Sequence, residues 1–150
     1  MIRHFTATAV VHDARGRVLL LHHKVYGRWM CPGGHMEPDE PPHEAAMREV
    51  LEETGLRVTF LPNGEHTEMT EARAEVLPTP FCVLEYQVAP DHTHVDFVYR
   101  CIADQGDALC QNAEESDGLA WFDPREVAGW EPERIFYNVR KLIELSAERF

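Results

Sequence analysis

The stretch from Gly34 to Leu56, GHMEPDEPPHEAAMREVLEETGL, carries the pattern that decides the fold. Its first part, together with the residues just before it, is rich in glycine and proline and predicts a loop over Cys31–Pro42. Its second part predicts a helix of about three turns. The helix is expected to end at Gly55, because glycine is typical of the position that terminates a helix. A loop that leads directly into a helix is therefore the expected local structure.

Three carboxylates gather on one side of this predicted helix. At about 100° per residue, Glu49, Glu52 and Glu53 fall within an arc of about 100°. Ala45 lies inside this arc, where its small side chain leaves room. The opposite side is largely apolar and is expected to be buried; its residues are Ala46, Met47, Val50 and Leu51.

The placement of these carboxylates is electrostatically poor without a cation. Like charges three or four residues apart repel each other, and the C-terminal end of a helix disfavours anions. Mg²⁺ and Mn²⁺ prefer hard oxygen ligands, so a bound cation would turn the repulsion into coordination. Taken alone, the same pattern also fits an acidic helix face that is merely solvated.

Composition outside this stretch indicates an ordinary globular protein. The chain has 150 residues, of which 44% are hydrophobic and 27% charged, and we expect a single domain over residues 1–150. No apolar run approaches the ~20 residues of a membrane span. The N-terminal sequence MIRHFTATAVVHD lacks the features of a signal peptide, so a cytoplasmic location without a membrane partner is expected.

The charge balance argues against a polyanionic partner. Lysine and arginine number 14 against 26 aspartates and glutamates, which gives a formal net charge of −12. Because binding to duplex nucleic acid relies on basic side chains that displace counterions, we expect no duplex nucleic acid partner. The four cysteines are scattered and contain no C-x-x-C pair, and we expect them to be buried free thiols.

The remaining elements are predicted from β-branched and alternating segments. Strands are expected at Phe5–His12, Val18–His23, Leu56–Leu61, Phe81–Val88, Val95–Ile102 and Leu119–Phe122. The polar stretch Gly64–Thr79 is expected to be a loop. Pro124 opens a brief helical turn, and Arg134–Arg149 reads as an amphipathic helix. Strands flanked by helices imply an α/β sandwich.

The quoted stretch resembles the Nudix signature, G-x5-E-x7-R-E-U-x-E-E-x-G-U, where U is a bulky aliphatic residue, and it matches every defined position. Seven of these positions fix one residue type, so agreement by chance is on the order of 10⁻⁸ per starting point. The preceding residues Trp29-Met-Cys-Pro-Gly-Gly34 resemble the family's lead-in W-x-x-P-G-G. One departure is Asp39, where relatives often carry glycine. The resemblance implies a MutT-like Nudix hydrolase whose α/β/α sandwich has a mixed β-sheet between helices.

Metal ligands follow from the resemblance by position. It implies that Glu49 and Glu53 are principal ligands of Mg²⁺ or Mn²⁺. Glu52 would share a metal or orient water, and the carbonyl of Gly33 is the family's usual backbone ligand.

Other residues of the signature are expected to hold its structure together. Arg48 would pair with Glu40 and thereby fix the loop against the helix. Gly34 would allow a tight turn, because glycine tolerates positive φ, and Gly55 would end the helix.

The resemblance leaves the general base open. The base could be Glu52 or Glu53 of the signature, or a loop carboxylate. Family members often place a functional glutamate shortly before a W-F segment, here Trp121-Phe122, so Glu114 and Glu115 are the loop candidates. The competing interpretation is an acidic loop exposed to solvent.

Polar residues alternate along the strand predicted to begin near residue 92. If the strand includes them, four side chains project to one face by the twofold alternation of a strand: His92, His94, Asp96 and Arg100. This face either lines a substrate pocket or is simply the wet side of the strand. A zinc site is a further interpretation, but alternate residues of a straight strand lie about 7 Å apart, which suits a shared organic ligand as well as a shared metal.

Three more residues near the signature are candidates for substrate binding. Lys24 and Arg28 precede Trp29 and could neutralise a distal phosphate, whereas exposed solvated cations are the alternative. His35 follows the glycine pair and could reach a phosphate or remain at the surface.

The resemblance implies cleavage of a diphosphate linkage by water attack at phosphorus, since divalent metals offset the charge of the phosphates and activate water. The substrate class is a nucleoside diphosphate derivative or a (d)NTP. A domain that binds or senses nucleotides without cleaving them is the alternative, and isomerisation of isoprenyl diphosphates is a third. Dimers are frequent in the family, so a homodimer stays open.

Overall fold

The computed structural model describes residues 1–104 and 108–149. Eight strands form one mixed sheet: β1 Ile2–His12, β2 Val18–His23, β3 Arg28–Met30, β4 Gly33–His35, β5 Val58–Phe60, β6 Cys82–Ala89, β7 His92–Ala103 and β8 Ser116–Phe122. The central order is β3-β2-β1-β7-β5; β4 also pairs with β1, β6 with β7 and β8 with β2. β1 and β7 run parallel along their whole paired length, and the other pairs are antiparallel.

Three helices cover the two faces of the sheet: α1 Pro42–Thr54, α2 Pro124–Val127 and α3 Tyr137–Ala147. β1 shows how the layers form, because its side chains alternate between two cores. Ala7 and Ala9 pack in the core under α1, and Val10 packs in the core under α2 and α3. The result is the predicted α/β/α sandwich with a mixed sheet between helices.

The ends of several elements differ from the sequence-based expectation. β1 begins at Ile2 and β7 at His92, because their parallel pairing extends both strands backwards from the predicted starts. The short strands β3 and β4 were not predicted. α3 begins at Tyr137 rather than at Arg134, since the backbone of Phe136 is extended, with φ −66° and ψ 145°.

The orientation of α1 differs from the expected one. Met47 and Leu51 were expected to be buried, yet they are 39% and 49% exposed. Ala45 and Glu53 lie on the buried side instead, at 0% and 5%. Part of the acidic arc therefore faces the sheet, so that carboxylates of α1 are directed towards β1 and β4.

Cysteine burial was only partly predicted. The four thiols are free; Cys31 and Cys101 are buried, but Cys82 is half-buried and Cys110 is exposed. Cys110 lies on the loop that packs over the end of α1, where a Cβ on Gly55 would come within 2.7 Å of the Cys110 Cβ. Among residues 1–104 and 108–149, no helix has the length and hydrophobicity that crossing a bilayer requires.

Candidate active site

Three carboxylates from two distant segments meet at the buried side of α1. Glu49 and Glu53 come from α1, and Glu115 comes from the loop just before β8. One carboxylate oxygen from each lies within 4.8 Å of the others. Pairing of β8 with β2 places this loop, since His23 of β2 is opposite Ser116 and the backbone N–H of Lys24 donates to the Glu115 carbonyl at 3.4 Å.

The two glycines of β4 allow close approach of α1 at Gly34 and of β1 at Gly33. A Cβ on Gly34 would lie 2.5 Å from Glu49 Oε1, and one on Gly33 would lie 2.5 Å from the carbonyl oxygen of Ala7. The expectation that Gly34 adopts positive φ is wrong, because it lies in a strand and is absent from the positive-φ residues. Lack of a side chain, rather than backbone freedom, is what this position requires.

Positive φ occurs instead at Asp39, at 66°, the value that favours glycine. This is the position at which relatives often carry glycine. At this departure from the family pattern, an exposed aspartate lies in the left-handed region. Aspartate tolerates this conformation better than most residues do.

The electrostatics of the three carboxylates indicate a cation site. Burial raises the pKa of Glu53 to about 8; the N–H of Gly33, which donates to Glu53 Oε1 at 2.9 Å, lowers it, and the charges of Glu49 and Glu115 raise it. Burial also raises the pKa of Glu49, whereas Arg48 lowers it. Grouped, partly buried oxygens of this kind suit Mg²⁺ or Mn²⁺, whose charge would favour their ionised form.

Arg48 ties the loop to the helix. Its guanidinium donates to both oxygens of Glu40, at 2.8 and 3.1 Å, and to the backbone carbonyl of His35 at 3.1 Å. This is the contact that the resemblance implied. Arg48 also donates to Glu49 at 3.0 Å and to Glu52 at 3.2 Å. The Glu52 side chain is 52% exposed, against 13% for Glu49, so Glu52 stands apart from the buried carboxylates.

The two loop candidates differ in position. Both Glu114 and Glu115 are exposed, but only the Glu115 carboxylate belongs to the group formed with Glu49 and Glu53. The backbone N–H of Glu114 donates to the side chain of Asn112, as part of the turn that leads into β8.

Two adjoining cavities open beside the carboxylates. The smaller, of about 170 Å³, is lined by Gly33, Gly34 and Glu53 and reaches His35 and His94. The larger, of about 320 Å³, extends between the sheet and α3, where Asp96, Phe136 and Asn138 line it. Residues that line both cavities are Thr8, Tyr26, Met30, Cys31 and Tyr86. The two cavities are therefore contiguous.

Asp96 is the buried polar group of the larger cavity. It is 4% exposed and accepts hydrogen bonds from Thr6 Oγ1 at 3.0 Å and from Thr8 Oγ1 at 2.8 and 2.9 Å. Burial raises its pKa, and the two hydroxyls lower it. A carboxylate held in this way can accept a hydrogen bond from a ligand in the cavity.

The predicted polar face of β7 divides into parts with different surroundings. His94 lines the smaller cavity and Asp96 the larger. Arg100 points to α3, where it donates to Ser146 Oγ at 3.0 Å and to the Ser146 carbonyl at 2.9 Å. His92 lies outside both linings and contacts His4 of β1, since His92 Nε2 is 2.9 Å from His4 Nδ1.

Lys24 and Arg28 do not belong to either cavity lining. The Lys24 ammonium donates to the backbone carbonyl of Ala113, in the loop that carries Glu115. Arg28 Nε donates to the carbonyl of Pro132 at 2.8 Å, and its guanidinium stacks 4.5 Å from the ring of Phe136. Their predicted contact with a distal phosphate stays a prediction.

Several cavity residues escaped the sequence analysis. Thr6 and Thr8 alternate with Ala7 and Ala9 along β1, and this alternation of polar and apolar residues was a usable signal for a polar face. Tyr86 and Asn138 carried no comparable signal, because each lies far in sequence from the signature and reaches the cavity only through tertiary packing.

The fold and the signature define a class. The family model of the NUDIX domain matches residues 2–144, and the chain belongs to this family. A MutT-like protein of Streptomyces ambofaciens is 30% identical over 123 residues, which cover 82% of this chain and 66% of that protein. The phosphatase NudJ of Escherichia coli is 46% identical over 55 residues, 35% of each chain. The chain thus spans less than two thirds of these relatives.

Solved structures agree with the fold. The crystal structure of a NUDIX-family hydrolase from Clostridium perfringens superposes with a TM-score of 0.83 at 27% identity and covers 99% of both chains. An Ap4A hydrolase from C. elegans superposes with a TM-score of 0.69 at 19% identity, over 97% of both chains. At that identity, the second likeness bears on the fold alone.

Proposed function

We propose that this single domain is a metal-dependent pyrophosphohydrolase that cleaves the diphosphate linkage of a nucleoside diphosphate derivative or a (d)NTP. The observation that carries the proposal is the grouping of Glu49, Glu53 and Glu115, whose ligand oxygens lie within 4.8 Å of one another. Glu53 of this group lines the smaller cavity together with the glycines of β4. Membership of the NUDIX family and the likeness to a phosphatase support the same chemistry.

Glu49 and Glu53 would hold Mg²⁺ or Mn²⁺, with the carbonyl of Gly33 as a backbone ligand. When bound, the cation supplies charge neutralisation of the diphosphate and lowers the pKa of water. The buried position of Glu53 and its hydrogen bond from the Gly33 N–H fix the carboxylate before substrate arrives.

Glu115 is the general base in this proposal. It accepts a proton as the water oxygen forms a bond to phosphorus and the bridging phosphorus–oxygen bond breaks, so that the leaving phosphate departs with the bridging oxygen. Exposure suits this role, because the carboxylate can pass its proton on to solvent. Glu52 would orient water or share a metal at the rim.

The two cavities would hold different parts of the substrate, its diphosphate and its nucleoside. The diphosphate would occupy the smaller cavity beside Glu53, with His35 and His94 as donors to its oxygens. The nucleoside would extend into the larger one, whose volume of about 320 Å³ lies within the range of small-molecule sites. Tyr26 and Tyr86 offer rings for stacking, and Asp96 accepts from a base or sugar.

A screen of nucleotides with Mg²⁺ and with Mn²⁺ tests the proposal. Products identified by mass in oxygen-18 water should carry one labelled oxygen on a newly formed phosphate, and a chelator should abolish turnover. Binding of nucleotides without any cleavage across the screen would instead support the non-catalytic sensing domain. Conversion without phosphate release would support an isomerase.

A further inference from the structure

Four histidines from three neighbouring strands come together next to the smaller cavity. His4 lies on β1, His92 and His94 on β7, and His35 on β4. Parallel pairing places His4 directly opposite His94. Ring centroids are 4.4 Å apart for His4 and His92, 5.0 Å for His92 and His94, and 4.9 Å for His35 and His94.

The contact between His4 and His92 shows why this group suits a cation. His92 Nε2 and His4 Nδ1 lie 2.9 Å apart. Two ring nitrogens at this distance form a hydrogen bond in which one donates and the other offers its lone pair. The tautomer of the donor ring that carries its proton on the other ring nitrogen leaves both lone pairs to a metal ion.

The donor atoms are close to the spacing of a zinc site. One ring nitrogen from each of His4, His92 and His94 lies within 4.8 Å of the other two. With zinc–nitrogen bonds of about 2.0–2.1 Å, tetrahedral ligands stand about 3.4 Å apart. The nitrogen–nitrogen distances therefore exceed the tetrahedral spacing by no more than about 1.4 Å. Rotation of the side chains can close this difference, because His4 is exposed and the other two histidines are half-buried.

We propose that His4, His92 and His94 bind a late first-row divalent cation such as Zn²⁺, at a site separate from the carboxylates of α1. Imidazole ligands select zinc, nickel and copper, whereas Mg²⁺ and Mn²⁺ go to carboxylate oxygens. A water would complete the coordination. The inference does not rest on the proposed function, because binding needs no turnover.

The position of this site gives it a consequence for the cavity. His94 and His35 also line the smaller cavity together with Glu53. A cation held by His4, His92 and His94 would tie β1 to β7 and add positive charge beside the space proposed for the diphosphate.

Calorimetric titration of the untagged full chain with Zn²⁺, in excess Mg²⁺ to occupy the carboxylates, tests the inference. We expect one Zn²⁺ per chain in the absence of nucleotide. His4→Ala and His92→Ala should each raise the Kd for Zn²⁺ by about tenfold or more, since each removes one of three ligands. For Glu53→Gln and for the exposed control His66→Ala, the Kd for Zn²⁺ should stay within about threefold of that of the unaltered protein.

Circular dichroism and thermal unfolding without zinc check that both histidine variants fold. At one Zn²⁺ concentration, zinc should raise the Tm of the unaltered protein and of Glu53→Gln by more than that of His92→Ala, because a ligand that binds the folded state more tightly stabilises it more. No zinc uptake would overturn the inference. So would zinc uptake that Glu53→Gln removes and both histidine variants retain.

Discussion

Glu53 is the residue on which the proposed chemistry depends most. It is a carboxylate that is 5% exposed and receives its one described backbone hydrogen bond from Gly33. Replacement by glutamine keeps the shape but removes the charge that would hold a divalent cation. We expect Glu53→Gln to lower kcat by about 100-fold or more, measured as formation of the cleavage products at saturating nucleotide and Mg²⁺.

The fold of this variant should survive, because a neutral amide costs less to bury than a carboxylate does. Unfolding in urea with a chelator present is the control, and the free energy of unfolding of Glu53→Gln should equal or exceed that of the unaltered protein. Near-native turnover in a folded Glu53→Gln would remove Glu53 from the metal site.

Glu114 and Glu115 form a matched pair for locating the general base. Only Glu115 shares the carboxylate group with Glu49 and Glu53, although both are exposed. Glu115→Gln should slow turnover by about tenfold or more, because it removes the group that accepts the proton from water. Glu114→Gln should change it by less than about threefold. Equal effects of the two changes, or two silent variants, would return the search to Glu52 and Glu53.

Position 39 and position 34 show two different reasons for glycine in one signature. Asp39 occupies the left-handed region at φ 66°, where relatives often carry glycine. Gly34 is needed because its Cβ would overlap Glu49. Sequence alone predicted a glycine effect at position 34 but assigned it to backbone freedom. A sequence does not distinguish the two causes, because each of them favours glycine at its position.

At the scale of elements, α1 was predicted well in extent and poorly in orientation. Its end at Gly55, with φ 76° and the N–H bonded to the Leu51 carbonyl at 3.0 Å, follows from local chemistry. Its orientation does not. An exposed Leu51 and a buried Glu53 contradict the hydrophobic pattern, and only the packing of α1 against β1 and β4 explains them.

His12 joins β1 to α3 and makes this junction sensitive to acid. It is fully buried, and Nε2 lies 2.7 Å from Ser146 Oγ. Burial lowers its pKa to about 4; the Gly16 carbonyl raises it and the Arg100 charge lowers it. Between about pH 6.5 and pH 4 the unfolded chain takes up a proton that the folded one excludes. Stability therefore falls as pH falls, by up to about 1.4 kcal/mol per pH unit.

The prediction is tested by urea unfolding of His12→Gln across this pH range. The variant should be less stable than the unaltered protein at neutral pH, because the contact with Ser146 changes, and the difference should shrink as the pH falls towards 4. His66→Gln, at an exposed position, serves as the control and should keep the original pH dependence. A constant difference between His12→Gln and the unaltered protein would exclude His12 as a source of acid sensitivity.

At the scale of the whole molecule, the parallel pair β1–β7 organises the site. Thr6 and Thr8 of β1 hold Asp96 of β7 at the larger cavity, while β4 and α1 bring the carboxylates to the smaller one. We expect Asp96→Asn to raise KM by about tenfold and to change kcat by less than about threefold, because it alters a contact to the nucleoside and not the reacting phosphate.

Asp104→Asn is the matched control for this prediction. Asp104 also accepts a threonine hydroxyl, from Thr59 at 2.8 Å, but it is exposed and belongs to neither cavity lining. Its kinetics should stay close to those of the unaltered protein. A fall in kcat at constant KM for Asp96→Asn would place Asp96 in the chemistry and not in recognition.

The sequence by itself determined the length of α1 with its glycine end and most strands, because local periodicity and capping chemistry report on residues that are close together along the chain. The contact of Arg48 with Glu40 was implied by the match to the family signature. The net charge of −12 likewise required no structure.

Only the tertiary structure decided which side chains share a site. It selected Glu115 over Glu114, turned the acidic arc of α1 inwards, and brought His4 rather than Asp96 to His92 and His94. The physical reason is that these groups are joined through strand register and helix packing, by β1 with β7 and by β2 with β8. Local residue patterns do not reveal which distant strands pair, so the composition of the site becomes visible only when the sheet is formed.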